Sequence, residues 1–122
     1  MVSFTKNKRA KGNEGERIAE EYLRSKGHKI LERNYRFQRA EIDLITQDGN
    51  DIVFIEVKTR HSLIYGQGVE AIDERKCSQL RKAAEGYLFR HRISNRPCRF
   101  DVVSISITDN KPNINHFKNA FQ

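Results

Sequence analysis

Acidic residues and a lysine interrupt two short apolar segments in the stretch EIDLITQDGNDIVFIEVKTR, residues 41–60. Asp43 is separated by twelve residues from the triplet Glu56, Val57 and Lys58. Two carboxylates and a backbone carbonyl that converge on one point suit Mg2+ or Mn2+, because these hard cations prefer oxygen ligands. A lysine beside them can stabilise charge on a phosphate and help to orient or deprotonate an attacking water. The spacing therefore predicts a site for metal-dependent hydrolysis of phosphodiester bonds.

A β-hairpin is the element that would bring these residues together. Two alternating apolar segments flank Asp-Gly-Asn-Asp, a cluster of turn-forming residues. If residues 48–51 form the loop, Gln47 pairs with Ile52 and Asp43 lies opposite Glu56. A two-residue Asp-Gly turn would instead shift the register and place Glu56 diagonal to Asp43. Both registers stay open at this stage.

Either register crowds like charges on one face of the hairpin. Successive side chains of a strand point to opposite faces, so Ile42 and Leu44 are expected on one face. The other face collects three carboxylates and one lysine, namely Glu41, Asp43, Glu56 and Lys58. Like charges that lie directly opposite each other destabilise a strand pair. A bound cation would relieve the crowding; the structural alternative is a salt-bridge patch in which Glu41 pairs with Lys58 and Asp43 stays solvated.

The composition predicts a small basic domain. The chain has 122 residues, 37% hydrophobic and 32% charged, with a net charge of +7. This length suits one domain, 13–122, and we expect residues 1–12 to form a flexible basic arm. Neither an apolar segment of membrane-spanning length nor a signal peptide is evident, so we expect a cytoplasmic protein without a membrane partner. The positive charge favours an acidic polymer such as DNA as partner, with a solvated basic surface as the structural alternative.

Hydrophobic periodicity predicts two helices and a sheet. We expect a helix capped by Asn13 and ending near Lys26, a loop over residues 61–72, and at most a short edge strand around Ile114. The other predicted elements are a strand over 28–35, the hairpin, a helix over 73–91 and a strand over 99–107. This order, α-β-β-β-α-β, predicts an α/β fold with a central mixed β-sheet flanked by helices.

Five segments resemble one protein family in order and spacing. The segments are GERIAEEYLRSKG, EIDLI, FIEVKTR, ERKCSQLRKAAEGYL and RFDVV, and they extend from about Gly12 to Ser104. They are similar to the YraN-like family of bacterial proteins. That family is assigned to the restriction-endonuclease-like, PD-(D/E)xK nuclease fold, and its layout is similar to that of archaeal Holliday junction resolvases.

The resemblance implies roles for individual residues. Asp43 and Glu56 match the metal ligands, the Val57 carbonyl completes the set, and Lys58 matches the catalytic lysine. Glu16 matches an acidic residue that the resolvases add to the site from their first helix. The structural alternative for Glu16 is a capping box, because it would be the third residue of a helix that begins after the predicted cap. The chain departs from the family pattern at residue 42, where isoleucine replaces the proline that names the superfamily.

Basic residues around the predicted site are candidates for binding nucleic acid. Lys76 on the second helix has a structural alternative as a lysine that covers apolar surface, and Tyr35 and Phe37 are candidates either for stacking on a base or for the core. We expect Asp101 to be a buried partner for Arg99 or for a lysine rather than a third metal ligand. The nucleic-acid-binding residues predicted are Lys6, Lys8, Arg9, Lys11, Arg36, Arg39, Arg60, Lys76 and Gln79, and Arg33 joins the same cluster.

These features together predict a DNA endonuclease that depends on Mg2+ or Mn2+, with branched DNA such as Holliday junctions among its candidate substrates. A homodimer fits, because the resolvases it resembles cut two strands symmetrically. The first alternative is a non-catalytic nucleic-acid-binding module that acts with a DNA repair or uptake partner. The second is an interaction domain whose basic face binds an acidic protein.

Overall fold

A computed structural model describes residues 3–60 and 73–122, with side chains of the first helix described from Glu14 onward. The predicted loop over 61–72 therefore lies outside the described residues. The elements are α1 (Ser3–Ser25), β1 (Lys29–Phe37), β2 (Ala40–Asp48), β3 (Asp51–Arg60), α2 (Glu74–Arg90), β4 (Cys98–Thr108) and β5 (Lys111–Phe121). The observed order is thus α-β-β-β-α-β-β, which confirms the predicted order and adds one strand.

The five strands form one mixed sheet in the order β1-β2-β3-β4-β5. The β3–β4 pair is parallel and the other three pairs are antiparallel. A parallel pair needs a crossover connection, and α2 lies between these two strands in the chain. No helix within residues 3–60 and 73–122 is long and apolar enough to cross a membrane.

Each face of the sheet has its own hydrophobic cluster and its own helix. Leu80, Ala83, Ala84 and Tyr87 of α2 pack over Ile45, Ile52 and Phe54. Ala19 and Leu23 of α1 pack over Leu44, Val53, Ile55, Val103 and Ile105. Both helices therefore bury an apolar stripe of the kind that a 3.6-residue period produces. The prediction of a central mixed sheet flanked by helices is confirmed.

The hairpin that carries the predicted site has the first of the two registers, although its loop is shorter than residues 48–51 because Asp48 pairs with Asp51. Gln47 pairs with Ile52, and the ladder runs from Asp48 opposite Asp51 to Leu44 opposite Ile55. The turn consists of Gly49 and Asn50, and Gly49 has a φ of 63°. Glycine adopts this left-handed conformation without steric cost, which suits a tight hairpin turn.

Strand β2 changes face between Ile42 and Leu44, so the prediction that they share one face is wrong. Ile42 packs in the cluster under α2, whereas Leu44 packs under α1. Their partners on β1 are Tyr35 and Arg33, and between these lies Asn34 with a φ of 52°. A residue in the left-handed region interrupts the alternation of a strand. The irregularity in β1 thus accompanies the change of face in β2.

Helix α1 begins at Ser3, ten residues before the predicted cap at Asn13. No proline lies between Ser3 and Ser25, and Lys, Arg and Ala are good helix formers, so the helical conformation extends through the basic segment. The predicted boundary between arm and domain falls inside this helix. The side chains of Lys6, Lys8, Arg9 and Lys11 lie outside the described residues.

The last strand is longer than predicted. In place of at most a short edge strand, β5 extends over eleven residues and pairs with β4 from Thr108 opposite Lys111 onward. Asp109 and Asn110 form the two-residue turn with φ values of 53° and 62°. Asp and Asn tolerate this conformation better than most residues, so the turn joins two strands directly.

Candidate active site

The candidate site lies where β2 and β3 stop pairing through their backbones. The backbone ladder ends at the pair of Leu44 and Ile55. Beyond this pair, the backbone amide of Val57 on β3 donates a hydrogen bond of 2.8 Å to Oδ2 of Asp43 on β2. A side chain therefore takes the place of a backbone acceptor at this point. The amide and the carbonyl of one strand residue face the same side, so the Val57 carbonyl is directed toward β2 as well.

Glu56 provides the second carboxylate of the site and is almost fully buried, with 6% of its surface exposed. Its Oε2 lies 3.6 Å from Nζ of Lys58 and 3.3 Å from Nζ of Lys76. Among the described residues, none provides a hydrogen-bond partner for its buried Oε1. A buried carboxylate oxygen without a donor is costly, so the site has the capacity for one more cationic or hydrogen-bonding partner.

The pKa of Asp43 is shifted far from its ordinary value. Burial and the charge of Glu56 raise its pKa to about 8, although the Val57 amide acts in the opposite direction. The charges of Glu16 and Glu41 raise the pKa further. In the absence of a cation, burial and the neighbouring carboxylates therefore favour the protonated form of Asp43.

Glu16 approaches the same cluster from α1. Burial and then the charge of Glu41 raise the pKa of Glu16, a hydrogen bond from the Asn34 side chain lowers it, and the charge of Glu56 raises it. Gly15 permits the close approach of the helix, since a β-carbon there would collide with the hydroxyl of Thr59 on β3. Because the helix begins far upstream, the capping-box alternative for Glu16 is wrong. Asn34 and Gly15 escaped sequence analysis, although asparagine in a strand and glycine in a helix are both local irregularities.

Four of the predicted nucleic-acid-binding residues line one cavity with the carboxylates. The cavity has a volume of about 270 Å³, and among its lining residues are Glu41, Asp43, Glu56, Arg36, Arg39, Lys76 and Gln79. Nε of Arg36 is 3.7 Å from Oε2 of Glu41. The predicted salt-bridge patch is wrong in its pairs, because Arg36 takes the place of Lys58 beside Glu41 and Lys58 lies beside Glu56.

Other predicted residues lie elsewhere. Tyr35 is buried and packs edge-on against Tyr87 at 5.3 Å, so it belongs to the core. Arg33 binds Glu20 on α1 through a 2.8 Å hydrogen bond from its Nε. Arg60 ends β3, on the same side of the strand as Glu56 and Lys58 by alternation.

Asp101 is the buried partner of Arg99, as predicted. Nε of Arg99 donates a 3.0 Å hydrogen bond to Oδ1 of Asp101, and its guanidinium also binds Asp48 and Asp51 at 3.0 and 2.9 Å. Nε2 of His116 lies 2.8 Å from Oδ2 of Asp101. These contacts fasten the hairpin turn to β4 at the opposite end of the hairpin from Asp43.

The donor set fits a divalent cation held in part by other oxygen ligands. Within residues 3–60 and 73–122, no three His, Cys, Asp or Glu side chains converge as a metal site. Asp43 and Glu56 would therefore supply two carboxylates, which matches the habit of Mg2+ of binding through one or two carboxylates and several waters. Among the described residues Oε1 of Glu56 has no hydrogen-bond partner, and this oxygen and the mutual repulsion of the carboxylates both favour a cation here.

The chain is similar to proteins of one bacterial family. The family model described as "Uncharacterised protein family UPF0102" matches residues 15–105. A UPF0102 protein of Syntrophomonas wolfei is 48% identical over 107 residues, which cover 88% of this chain and 93% of that protein. A UPF0102 protein of Persephonella marina is 47% identical over 111 residues, which cover 91% of this chain and 92% of that protein. A UPF0102 protein of Caldicellulosiruptor saccharolyticus is 44% identical over 117 residues, which cover 94% of this chain and 99% of that protein. The matched range includes every described residue of the candidate site.

Proposed function

The chain belongs to the UPF0102 family, and from the chemistry of its site we propose that it is a metal-dependent endonuclease that hydrolyses phosphodiester bonds in DNA. The single observation that carries the proposal is the pair of crowded carboxylates, Asp43 and Glu56, at the point where two strands separate. A buried glutamate with one oxygen that lacks a partner among the described residues, and an aspartate whose pKa is raised to about 8, form a costly arrangement. A reaction that depends on a bound cation would explain why the protein retains this unfavourable arrangement.

Asp43 and Glu56, with the Val57 carbonyl, would hold Mg2+ or Mn2+. Such an ion, when bound, polarises a phosphate oxygen and lowers the pKa of a water molecule. Glu56 orients the site through its buried side chain, and the Val57 amide fixes the position of the Asp43 carboxylate. Glu16 supplies a further acidic group from α1, whose role is to accept a proton or to hold water near the carboxylates.

The two lysines of the site have distinct positions. Nζ of Lys58 lies 3.6 Å from Oε2 of Glu56, so its ammonium group would stabilise charge that develops on a phosphate bound at the carboxylates. Lys76 reaches the same carboxylate oxygen from α2. Arg36 and Arg39 line the same cavity and would contact neighbouring phosphates, which position a substrate without reading its sequence.

Cleavage assays test this proposal directly. Labelled linear and branched DNAs, including a Holliday junction and a flap, are incubated with the protein and Mg2+, Mn2+ or chelator. We expect metal-dependent cleavage of at least one substrate and a loss of about a hundredfold or more in Lys58→Ala, because the ammonium acts on charge that develops in the transition state. Lys111→Ala, at the exposed start of β5, is the matched control and should cleave normally. A homodimer is expected to cut both strands of a junction.

One observation favours a second candidate, a nucleic-acid-binding module without turnover. Both Lys58 and Lys76 pair with Glu56, so its charge is balanced without any metal. In this case the basic cavity would hold DNA for a repair or uptake partner. Wild-type protein that binds DNA but cleaves no substrate with either metal would replace the endonuclease by this module.

A further inference from the structure

A band on the surface of α2 leads from the candidate site toward the C-terminal end of the helix. Lys76, Gln79, Lys82, Gly86 and Phe89 follow one another at intervals of three or four residues, so together they form a stripe that winds partly around the helix. At a rise of 1.5 Å per residue, the stripe is about 20 Å long. Its first two residues line the site cavity.

Two further cavities follow this stripe and share walls with the site. The middle cavity has Arg39 and Gln79 in common with the site cavity. The outer cavity shares Phe37 and Lys82 with the middle one and has a volume of about 730 Å³. The three cavities therefore form one groove, which we call the α2 groove, that leads from Glu56 to Phe89.

Phe89 is the exposed aromatic of this groove. It is 87% exposed, and among the described residues it is the only large hydrophobic side chain at the surface. A single exposed apolar residue is ordinary on a protein surface, so the residues around Phe89 must indicate whether it belongs to a binding surface. Arg36, Lys82 and Arg90 line the same outer cavity, against one acid, Glu85. An aromatic face among three cations is typical of a surface that binds single-stranded nucleic acid.

Gly86 keeps the groove open beside Phe89. A β-carbon at this position would collide with the ring of Phe37, which packs against the core under α2. Glycine inside a helix costs about 1 kcal/mol relative to alanine. The close approach of the Phe37 ring offsets this cost, because alanine would collide with the ring. The floor of the groove is thus formed by the backbone of α2 and the edge of Phe37.

We propose that the α2 groove binds an unpaired strand of DNA, with Phe89 stacked on a base and Arg36, Lys82 and Arg90 in contact with its phosphates. In a continuous duplex both faces of each base are covered by neighbouring bases, so the ring of Phe89 has no partner there. An unpaired strand offers free base faces and a backbone that can follow the stripe to the site. Binding of the strand in the groove does not require cleavage. One consequence rests on the proposed nuclease function: the preferred substrate carries an unpaired strand next to the bond that is cut.

Binding in the presence of chelator tests the groove without any need for catalysis. Fluorescence anisotropy measures the affinity of the full chain for a labelled thymidine oligonucleotide and for a blunt duplex of the same length. Phe89→Ala should weaken single-strand binding by about tenfold, in line with the measured effect of losing one stacked base. Duplex binding should change by less than about twofold. Because Phe89 is exposed, the melting temperature of this variant should match that of the wild type.

Two further variants separate stacking from simple apolar contact and from charge. Phe89→Trp should retain the affinity of the wild type, whereas Phe89→Leu, which keeps an apolar side chain without a flat ring, should behave like the alanine variant. Lys82→Ala should reduce the slope of log affinity against log salt by about 0.7, the value for one phosphate of a single strand. Lys111→Ala, on the opposite edge strand, should leave this slope unchanged.

Three results would overturn the inference: equal single-strand affinity of Phe89→Ala and wild type, full affinity in Phe89→Leu, or no binding of the oligonucleotide at low salt. The last result would make the α2 groove a candidate surface for a protein partner instead. Failure of the nuclease proposal gives a different pattern, in which Phe89-dependent single-strand binding persists and no substrate is cleaved with either metal.

Discussion

The raised pKa of Asp43 predicts that the difference in unfolding free energy between Asp43→Asn and wild type grows with pH. In metal-free protein, Asp43→Asn removes the charge and keeps an oxygen that can accept the hydrogen bond from the Val57 amide. The pKa of Asp43 is about 8 in the folded protein, against an ordinary value of 3.8. Between these values the unfolded chain has lost the proton while the folded protein retains it, so wild-type stability falls as pH rises. The asparagine variant lacks this loss.

The size of the effect follows from the same pKa values. Between pH 5 and pH 8, each pH unit corresponds to at most about 1.4 kcal/mol of differential stability, which gives an upper limit of about 4 kcal/mol. Part of the high pKa comes from Glu56, with which Asp43 shares its titration. We therefore expect the variant to gain about 2 kcal/mol over wild type between pH 5 and pH 9. Glu16 also has a raised pKa, and because its charge is one of those that raise the pKa of Asp43, its titration contributes to the difference between the two proteins.

Urea denaturation in the presence of chelator measures this gain. Unfolding free energies are determined at several pH values between 5 and 9 for wild type, Asp43→Asn and the control Asp109→Asn. Asp109 is exposed in the β4–β5 turn, so Asp109→Asn makes the same chemical change outside the carboxylate cluster. A difference between Asp43→Asn and wild type that stays constant across the pH range would refute the argument that Asp43 is buried among like charges.

Two further predictions concern metal and the paired acids. Millimolar Mn2+ should raise the melting temperature of wild type, because a ligand that binds only the folded state stabilises it, and Asp43→Asn should lose most of this rise; a wild-type curve that ignores Mn2+ would rule out the metal site. Asp101→Asn should cost about 3 kcal/mol, because it removes a buried partner of Arg99 and His116, while DNA affinity stays unchanged. A loss below about 1 kcal/mol in urea denaturation would show that these contacts contribute little.

The hairpin could be predicted from sequence because its signals are local, whereas its register could only be narrowed to two alternatives. The Asp-Gly-Asn-Asp cluster lies between two alternating segments, and the observed pairing of Gln47 with Ile52 is one of only two registers that such a turn allows. Helix α2 was equally predictable: Asp73 caps it by accepting a hydrogen bond from the Lys76 amide, and its apolar stripe is regular. The pairing of Asp101 with Arg99 followed from their places two residues apart on one strand.

The remaining features depend on contacts between distant parts of the chain. The contact of Lys76 with Glu56 requires α2 to cross over the end of β3, which no spacing in the sequence specifies. The change of face in β2 depends on the conformation of Asn34 in a neighbouring strand. The predicted start of α1 is too late because Asn13 has the residue type of a helix cap but lies inside the helix.

The two ends of the β2–β3 hairpin provide an internal comparison for the electrostatic argument. At the turn, a hydrogen bond from Arg99 lowers the pKa of Asp48. Next to it, burial would raise the pKa of Asp101, but hydrogen bonds from His116 and Arg99 lower it. At the other end, burial and a like charge raise the pKa of Asp43. The same fold therefore gives the buried acids near the turn cationic partners, whereas at the cavity two lysines pair with Glu56 and, among the described residues, Asp43 has an amide donor and no cation. A buried acid placed against another carboxylate where the cavity opens supports the proposed role in binding a cation, rather than a role in stability.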